Sequence, residues 1–321
     1  MDCITRELDL RIVVTGANGF VGVHLVRELA RQHEVLAIDN LRYGDWRFAA
    51  QEMQRIRTAT TDLRDRASLT AVVSNFDPHA IIHLAAVHFI PECERLPDQA
   101  ISINVEGTVN LLLTCPPACR FVYTSSAAVY CPKDAAHSEL EDPVGPVDVY
   151  GLTKLHGEDF VRYFAAQKNL QSVIVRLFNV IGPGETNPHV LPEIIKQLKT
   201  GVRKLRLGNV QPKRDYIYVT DVAEGFIAAA TQPFPQAAGQ GPVVVNLGSG
   251  KSYSVSELVE RLSAIIGDRI EIEVDPQRVR KVDRPNLLSD NTRMRQFFAW
   301  TVRHGIEQAL SKTWANPDLL S

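Results

Sequence analysis

The fold is decided by the stretch Arg11-Ile12-Val13-Val14-Thr15-Gly16-Ala17-Asn18-Gly19-Phe20-Val21-Gly22. Its first five residues form a β-branched apolar run, as expected of a strand buried on both faces. Three glycines follow at G-x-x-G-x-x-G spacing, and an amphipathic pattern begins at Phe20. A strand, a glycine-rich turn and a helix in this order direct backbone N–H groups toward a pyrophosphate. Glycines at this spacing also occur in plain turns, so the prediction depends on what surrounds the stretch.

Similar apolar runs recur along the chain at residues 34–38, 80–84, 121–124 and 172–177. Helical patterns lie between them, at residues 20–33, 68–75 and 106–114. This alternation predicts an α/β fold with a Rossmann-like, doubly wound parallel sheet. We expect a nucleotide-binding Rossmann domain over residues 1–180 and a smaller C-terminal α/β substrate-binding lobe over residues 181–321. Residues 220–250 are expected to return to the main domain.

The composition excludes several classes of protein. The 321 residues contain 35 Lys+Arg and 37 Asp+Glu, a net charge of −2, which argues against a broad nucleic-acid surface. Apolar runs stay far below the roughly 18 residues of a membrane span, and the acidic N-terminal stretch is unlike a secretory signal. Five scattered cysteines favour a reducing compartment, so a cytoplasmic location is expected. Cys115 and Cys119 lack partners at metal-ligand spacing, so we expect a surface turn there and no metal site.

An acidic residue follows the second apolar run at the distance that ribose recognition requires. Asp39 lies 20 residues after Gly19. A carboxylate at this position accepts both ribose hydroxyls of NAD and repels the 2′-phosphate of NADP. Arg42 leaves room for NADP, and Asp39 could also be a turn aspartate. Asp62-Leu63 follows another short strand, where contact with adenine and a plain turn are both open.

A tyrosine and a lysine share one face of a predicted helix. Tyr150 and Lys154 are four residues apart in Tyr150-Gly151-Leu152-Thr153-Lys154. A lysine charge near a phenol favours the phenolate, which can take a proton from a sugar hydroxyl. Ser126 follows a strand upstream, at the sheet edge where ligands bind in α/β folds. An exposed helix pair and ordinary loop serines are the plain alternatives.

Together these motifs resemble the extended short-chain dehydrogenase/reductase superfamily, in its NAD-dependent nucleotide-sugar epimerase/dehydratase branch. The resemblance covers nearly the whole chain. Besides the segments above it rests on His83-Leu84-Ala85-Ala86, Ser125-Ser126-Ala127-Ala128-Val129-Tyr130, Arg176-Leu177-Phe178-Asn179-Val180-Ile181-Gly182-Pro183-Gly184, Lys213-Arg214-Asp215-Tyr216 and Asn246-Leu247-Gly248. The chain departs from the family pattern in two places: Cys131 stands where glycine is usual, and Asp148-Val149 stand where proline often precedes the tyrosine.

The resemblance implies NAD as cofactor and a role for each matching residue. The pyrophosphate would be lined by Gly16, Gly19, Phe20, Val21 and Gly22. The adenosine ribose would be held by Asp39 and Asn40, and the adenine by Asp62 and Leu63. The rest of the cofactor would meet Leu84, Ala85, Ala86, Asn104, Tyr150, Lys154 and Phe178.

The same resemblance implies a nucleotide-diphosphate-sugar substrate and a homodimer. Phe160 and Phe164, on the helix of Tyr150, are expected to belong either to the core or to a dimer-forming helix bundle. Ser126, Tyr150 and Lys154 would be catalytic. The substrate would be bound by Ser126, Asn179, Arg214 and Arg280, since arginine forks match pairs of phosphate oxygens. Arg280 could equally belong to a solvated basic run, Arg278-Val279-Arg280-Lys281.

The family supports several reactions, and the residues favour one. In 4,6-dehydratases acidic residues follow the catalytic Ser or Thr, whereas this chain has Ala127 and Ala128. Asp39 favours a recycled NAD, which disfavours a reductase. We therefore expect C4 epimerisation through a transient 4-keto sugar, as in UDP-glucose 4-epimerases.

Other readings stay open. The segments Leu207-Gly208-Asn209 and Val274-Asp275-Pro276 are similar to GDP-mannose dehydratases and GDP-4-keto-6-deoxymannose reductases. A GDP-sugar dehydratase or 4-ketoreductase, and a catalytically silent NAD-binding sensor, remain the alternatives.

Overall fold

The computed structural model describes residues 10–185, 187–235, 241–278 and 284–316. Its strands are, in chain order, β1 (Arg11–Thr15), β2 (Glu34–Asp39), β3 (Ile56–Thr60), β4 (Ala80–His83), β5 (Arg120–Ser126), β6 (Ser172–Leu177), β7 (Asn179–Ile181), β8 (Lys204–Leu207), β9 (Lys213–Tyr218), β10 (Val243–Leu247), β11 (Ser252–Ser254), β12 (Glu271–Val274) and β13 (Asn286–Leu287). Its α-helices are α1 (Phe20–Leu29), α2 (Arg66–Phe76), α3 (Ile90–Arg95), α4 (Pro97–Ile101), α5 (Gly107–Thr114), α6 (Val149–Lys168), α7 (Val190–Lys199), α8 (Val219–Thr231), α9 (Val255–Ile266), α10 (Thr292–Phe298) and α11 (Ile306–Ala315). A π-helical turn at Ser102–Glu106 leads into α5, and short 3₁₀ turns lie at Ala127–Val129 and Pro276–Arg278.

The main sheet has seven strands in the order β10-β6-β5-β4-β1-β2-β3. β1 pairs in parallel with β2 on one side and with β4 on the other, and β2–β3 and β4–β5 are also parallel. This arrangement confirms the Rossmann-like parallel sheet predicted from the βαβ alternation. Because β1 lies between β2 and β4, the glycine turn after β1 lies at the carboxyl edge where the strand order reverses.

The chain forms two compact units. The first comprises Met1–Ser125, Asp148–Val175 and Phe226–Val244, and the second comprises Ser126–Val147, Arg176–Gly225 and Val245–Ser321. The apolar core of the first unit joins the sheet to α2, α5 and α6, with Ile81, Phe121 and Tyr123 completely buried.

The prediction of a surface turn at Cys115 and Cys119 is wrong for the two thiol side chains. Both cysteines are buried in the core of the first unit. The Nζ of Lys168 donates hydrogen bonds to the carbonyls of Leu112, Leu113 and Cys115, which satisfies the backbone at the end of α5. The turn can therefore direct its two small thiol side chains inward, where free cysteine behaves as an apolar group.

The second unit is organised around a buried carboxylate on β9. Here β9 pairs with β7, β11 and β13, while β8 and β12 form a separate parallel pair. Asp215 is fully buried, and it accepts hydrogen bonds from the backbone N–H groups of Ser249, Gly250 and Ser289 and from both serine hydroxyls. Burial raises the pKa of Asp215 although these donors oppose the shift. The carboxylate thus ties the loops after β10 and β13 to β9.

Candidate active site

The turn between β1 and α1 requires glycine at two positions. Gly16 has a φ of +68°, and a Cβ there would lie 2.6 Å from the backbone nitrogen of Ala85. A Cβ on Gly22 would overlap the carbonyl oxygen of Gly16. The turn is closed by a hydrogen bond from the Gly19 N–H to that same carbonyl, at 3.1 Å. The result is a bare backbone surface at the start of a helix, which a pyrophosphate can approach closely.

Asp39 ends β2 beside this turn. One carboxylate oxygen accepts from the Asn18 N–H at 3.0 Å, and the other accepts from the Leu41 N–H at 2.9 Å. Leu41 adopts a left-handed conformation with φ of 55°. Arg42 forms an ion pair with Glu92 at 2.6 Å, so its guanidinium is held by an acid. The local charge therefore fits a ribose better than a 2′-phosphate.

Asn40 and Asp62 come together at the next strand end. The side-chain amide of Asn40 donates to Asp62 at 3.1 Å, and Arg64 holds Asp62 with two hydrogen bonds, at 2.9 and 2.8 Å. These bonds to Arg64 keep the pKa of Asp62 far below its ordinary value. Leu63 is buried, and it packs so closely on Gly107 that a Cβ there would lie 2.9 Å from that of Leu63.

The segment after β4 is held by the buried side chain of Asn104. Asn104 accepts from the Val87 N–H at 2.8 Å and donates to the Val87 carbonyl and to the Thr153 hydroxyl, both at 2.9 Å. Asn104 is 1% exposed. This arrangement makes Asn104 a scaffold between the half-buried Leu84-Ala85-Ala86 segment and α6, and its contact with the cofactor stays a prediction.

His83 is a neutral structural histidine. Its Nδ1 lies 2.7 Å from the hydroxyl of Thr15, and its Nε2 lies 2.9 Å from that of Thr108. Thr108 already donates its proton to the Asn104 carbonyl, so it accepts from His83, and the proton on the ring is therefore assigned to Nε2. Burial, with a smaller effect from Lys154, lowers the pKa of His83 to about 3.

Helix α6 carries the tyrosine–lysine pair. Asp148 caps the helix by accepting from the Gly151 N–H at 2.7 Å, which explains an aspartate where the family often has proline. Tyr150 is half-buried against the small apolar cluster that contains Val87 and Cys93.

Lys154 is 2% exposed, and its Nζ lies 4.8 Å from the centroid of the Tyr123 ring. Burial lowers its pKa to about 7, against the opposing influence of Cys93 and Glu158. The lysine therefore gains or loses its charge near neutral pH, which is the pH range in which a catalytic acid–base group must titrate.

Ser126 ends β5 and begins the second unit. Its hydroxyl oxygen accepts from the Ala128 N–H at 3.1 Å, which closes the 3₁₀ turn Ala127–Val129 and leaves the hydroxyl proton available to another acceptor. The two alanines of this turn are buried.

The second unit also contains Phe178, which is expected beside the cofactor, and Asn179 and Arg214, which are expected to bind substrate. Phe178 is buried, and its N–H donates to the Leu247 carbonyl at 3.0 Å, whereas Asn179 is exposed. Arg214 is half-buried and donates to the carbonyls of Lys213 and Arg284, at 2.8 and 2.9 Å. Arg280 lies outside the described residues.

Sequence reasoning missed two buried charged residues. Glu158 is completely buried on α6, and Arg284 is 8% exposed and donates to the Ala128 carbonyl at 2.9 Å. Glu158 lies four residues after Lys154 on the same helical face, a spacing that could have identified it. Arg284 is 156 residues from its partner, so no local pattern points to the contact.

The described residues offer neither a metal centre nor a membrane-spanning helix. No group of His, Cys, Asp or Glu side chains in the described ranges could hold a metal ion. Among the helices of those same ranges, none is long and apolar enough to cross a membrane.

Comparison with known proteins identifies the family. The model of the NAD dependent epimerase/dehydratase family matches residues 12–248. The UDP-glucose 4-epimerase of Mycolicibacterium smegmatis is 31% identical over 95% of this chain and 97% of its own length, and the GDP-6-deoxy-D-mannose reductase of Pseudomonas aeruginosa is 27% identical over 94% of each. The crystal structure of the UDP-glucose-4-epimerase from Stenotrophomonas maltophila, with bound NAD and formylated UDP-arabinopyranose, superposes with a TM-score of 0.85 at 25% identity, over 96% of this chain and 98% of that one. The chain therefore belongs to the NAD-dependent epimerase/dehydratase family of enzymes, and its cofactor is NAD.

Proposed function

We propose that this enzyme is an NAD-dependent nucleotide-diphosphate-sugar 4-epimerase, with a UDP-hexose such as UDP-glucose as its substrate. The observation that carries the choice among the family's reactions is the turn after Ser126. Its first two side chains are Ala127 and Ala128, which are buried and cannot transfer protons. Elimination of water needs an acid and a base at such positions, whereas epimerisation at C4 needs only the tyrosine–lysine pair and the cofactor. The similarity to UDP-glucose 4-epimerases supports the same choice.

We assign the cofactor to the carboxyl edge of the first unit. The bare glycine surface of Gly16, Gly19 and Gly22, with Phe20 and Val21, would accommodate the pyrophosphate, because a Cβ would fill the space at Gly16 and Gly22. Asp39 and Asn40 would bind the adenosine ribose. The remaining contacts are assigned to Asp62, Leu63, Leu84, Ala85, Ala86, Asn104 and Phe178. NAD bound there would supply the hydride acceptor for oxidation at C4 and the hydride donor for the reverse step.

The chain's own contribution to the chemistry is proton transfer. Tyr150 removes the proton from the sugar C4 hydroxyl and later returns it. The Lys154 ammonium stabilises the phenolate of Tyr150, and with Tyr150 it would contact the nicotinamide ribose. Ser126 contributes a hydrogen bond to the same sugar oxygen, which its free hydroxyl proton permits. The diphosphate is assigned to Asn179, Arg214 and Arg280.

A GDP-sugar 4-reductase is a second candidate, and a contact in the second unit favours it. The two segments that resemble GDP-sugar enzymes lie next to each other: Val274 on β12 is the register partner of Leu207 on β8, and the Asp275 N–H donates to the Leu207 carbonyl at 2.7 Å. Gly208 permits close packing there, because a Cβ would overlap the carbonyl oxygen of Arg278. The similarity to the GDP-6-deoxy-D-mannose reductase also favours this second candidate.

We propose that the active oligomeric state of the enzyme is a homodimer. On α6 the side chains of Leu152, Phe160 and Tyr163 are 46, 36 and 59% exposed, and their spacing places them along one stripe of the helix. Such a stripe suits a helix bundle between two copies of the chain. Light scattering coupled to size exclusion tests the dimer, and a monomer that keeps full activity contradicts it. The cytoplasmic location stays a prediction.

The activity is tested with purified enzyme, NAD and a panel of UDP-, GDP-, dTDP- and CDP-sugars, followed by mass spectrometry and proton NMR. A product of unchanged mass with inverted C4 couplings, formed from UDP-glucose, supports the proposal. Loss of water, or a gain of two hydrogens with NADPH, identifies a dehydratase or a reductase instead. Inversion at C3 or C5 also contradicts the proposal.

The variant Tyr150→Phe is the matched control, because it removes only the hydroxyl. It should lose nearly all turnover while it still binds NAD. If neither the wild type nor Tyr150→Phe turns over any sugar while both bind NAD, the protein is an NAD-binding sensor and the proposed activity is wrong.

A further inference from the structure

One face of α6 carries four polar or charged side chains in succession. Tyr150, Lys154, Glu158 and Arg162 follow each other at intervals of four residues, so each lies about one turn after the last. Glu158 and Lys154 are both buried, at 0 and 2% exposure. Water therefore solvates neither charge, and the Glu158 carboxylate raises the pKa of Lys154 against the lowering effect of burial.

Strand β5 packs against this face with matching spacing. Two residues of a strand span roughly 6.6 Å and four residues of a helix roughly 6 Å, so Tyr123 and Ser125 fall opposite Lys154 and Glu158. The Tyr123 ring lies 4.8 Å from the lysine Nζ, and its hydroxyl donates to the Lys154 carbonyl at 3.3 Å. A Cβ on Gly157 would overlap that hydroxyl, so this glycine lets the helix approach the strand.

The carboxylate of Glu158 is anchored at both oxygens. One accepts from the hydroxyl of Ser125 at 2.6 Å, and the other accepts from the guanidinium of Arg162 at 2.8 Å. The bond to Arg162 is charge-assisted, which stabilises the ionised carboxylate. A buried carboxylate with two bonds of this length keeps a fixed position relative to its own helix.

Besides Glu158, Cys93 also raises the pKa of Lys154, but Glu158 is a carboxylate whereas Cys93 is a buried thiol. Cys93 on α3 and Glu158 on α6 act on the pKa of Lys154, and Lys154 acts in turn on that of His83 on β4. The Tyr123 ring on β5 faces the lysine Nζ, and Tyr150 and Arg162 lie one and two turns away along α6. Burial lowers the pKa of His83 to about 3 and raises that of Cys93 to about 11, so both are neutral at pH 7. Burial also raises the pKa of Tyr123.

We propose that Glu158 is a positioning residue for the reaction: its buried carboxylate, anchored by Ser125 and Arg162, keeps Lys154 in the ammonium form on which the action of Tyr150 depends. This inference rests on the proposed function for its consequence in catalysis. Its physical content, the charge state of Lys154, can be measured without any substrate.

The test compares Glu158→Gln with Asp159→Asn. Both changes remove one carboxylate that bonds to Arg162, but the side chain of Asp159 is 65% exposed and lies at 3.2 Å from the guanidinium. The titration of Lys154 is followed by NMR on lysine-labelled, NAD-loaded protein, with Lys154→Met to assign the resonance. We expect the Lys154 midpoint to fall by about one pH unit or more in Glu158→Gln and to stay unchanged in Asp159→Asn.

The kinetic consequence follows from the charge of Lys154. With a pKa of about 7, half of Lys154 is charged at pH 7, and a fall of one pH unit leaves roughly a tenth charged. We therefore expect kcat at pH 7 to drop about fivefold in Glu158→Gln, with KM unchanged and the alkaline limb of the pH–kcat profile shifted to lower pH.

Two results overturn the inference: an unchanged Lys154 midpoint in folded Glu158→Gln, or an equal loss of kcat at every pH. If Glu158→Gln does not fold, Ser125→Ala loosens the carboxylate without deleting it and should lower the midpoint by a smaller amount. No change in Ser125→Ala then counts against the inference. If the enzyme turns over no nucleotide sugar, the proposed function fails while the NMR titration still decides the role of Glu158.

Discussion

Replacing Lys154 with methionine should make the NAD-free protein more stable at neutral pH while it abolishes activity. An ordinary lysine has a pKa of 10.5, and burial lowers that of Lys154 to about 7. Each pKa unit corresponds to about 1.4 kcal/mol, so keeping this ammonium in the folded protein costs about 5 kcal/mol at low pH. Methionine has a similar length and carries no charge, so it removes this cost and retains most of the packing.

The pH dependence has a definite sign. Between pH 7 and 10.5 the unfolded chain holds a proton on Lys154 that the folded chain has released, so the stability of the native protein from this group rises with pH. Below pH 7 both states are protonated and the full penalty applies. The advantage of Lys154→Met in the free energy of unfolding should therefore be largest near pH 6–7 and shrink toward pH 10.

The assay is reversible urea unfolding at a series of pH values, with the difference between wild type and variant taken at each pH. Lys196→Met is the matched control, because that side chain is exposed on α7, and its difference should be small at every pH. A Lys154→Met protein with the stability of wild type, or with a difference that does not vary between pH 7 and 10, would refute the account of Lys154 as a buried, energetically expensive ammonium.

Three further predictions concern binding and stability. Gly22→Ala should abolish NAD binding in calorimetry because its Cβ overlaps the glycine-turn carbonyl, whereas Gly241→Ala, which meets open space, should bind normally. Asp39→Asn should lower the ratio of the dissociation constants for NADP and NAD by about tenfold, because it removes the charge that repels a 2′-phosphate. An unchanged ratio would count against the role of Asp39 in cofactor selection. Asp215→Ala should lower the free energy of unfolding by about 3–5 kcal/mol in urea titrations, because five donors lose a buried acceptor, whereas Asp268→Ala at an exposed ion pair should lower it by less than about 1 kcal/mol.

The features that sequence alone predicted are those written within a few adjacent residues. In residues 11–22 the φ/ψ preferences and the hydrophobic period are set by the residues themselves. They therefore predict β1, the glycine turn and α1 without any knowledge of distant partners. Asp39 and the Tyr150–Lys154 pair follow from counting along one strand or one helix. The capping box at the start of α9 is also encoded in adjacent residues: the Ser254 side chain accepts from the Glu257 N–H, and the Glu257 side chain accepts from the Ser254 N–H.

What only the tertiary structure decided is how deeply each group is buried and which distant residue faces it. The composition shows a lysine at position 154, but its pKa near 7 depends on burial and on Glu158 and Cys93. The inward-facing thiols at Cys115 and Cys119 and the bond from Arg284 to Ala128 likewise require the folded chain. The physical reason is that desolvation and Coulomb interactions act through space, between residues whose separation along the chain carries no signal.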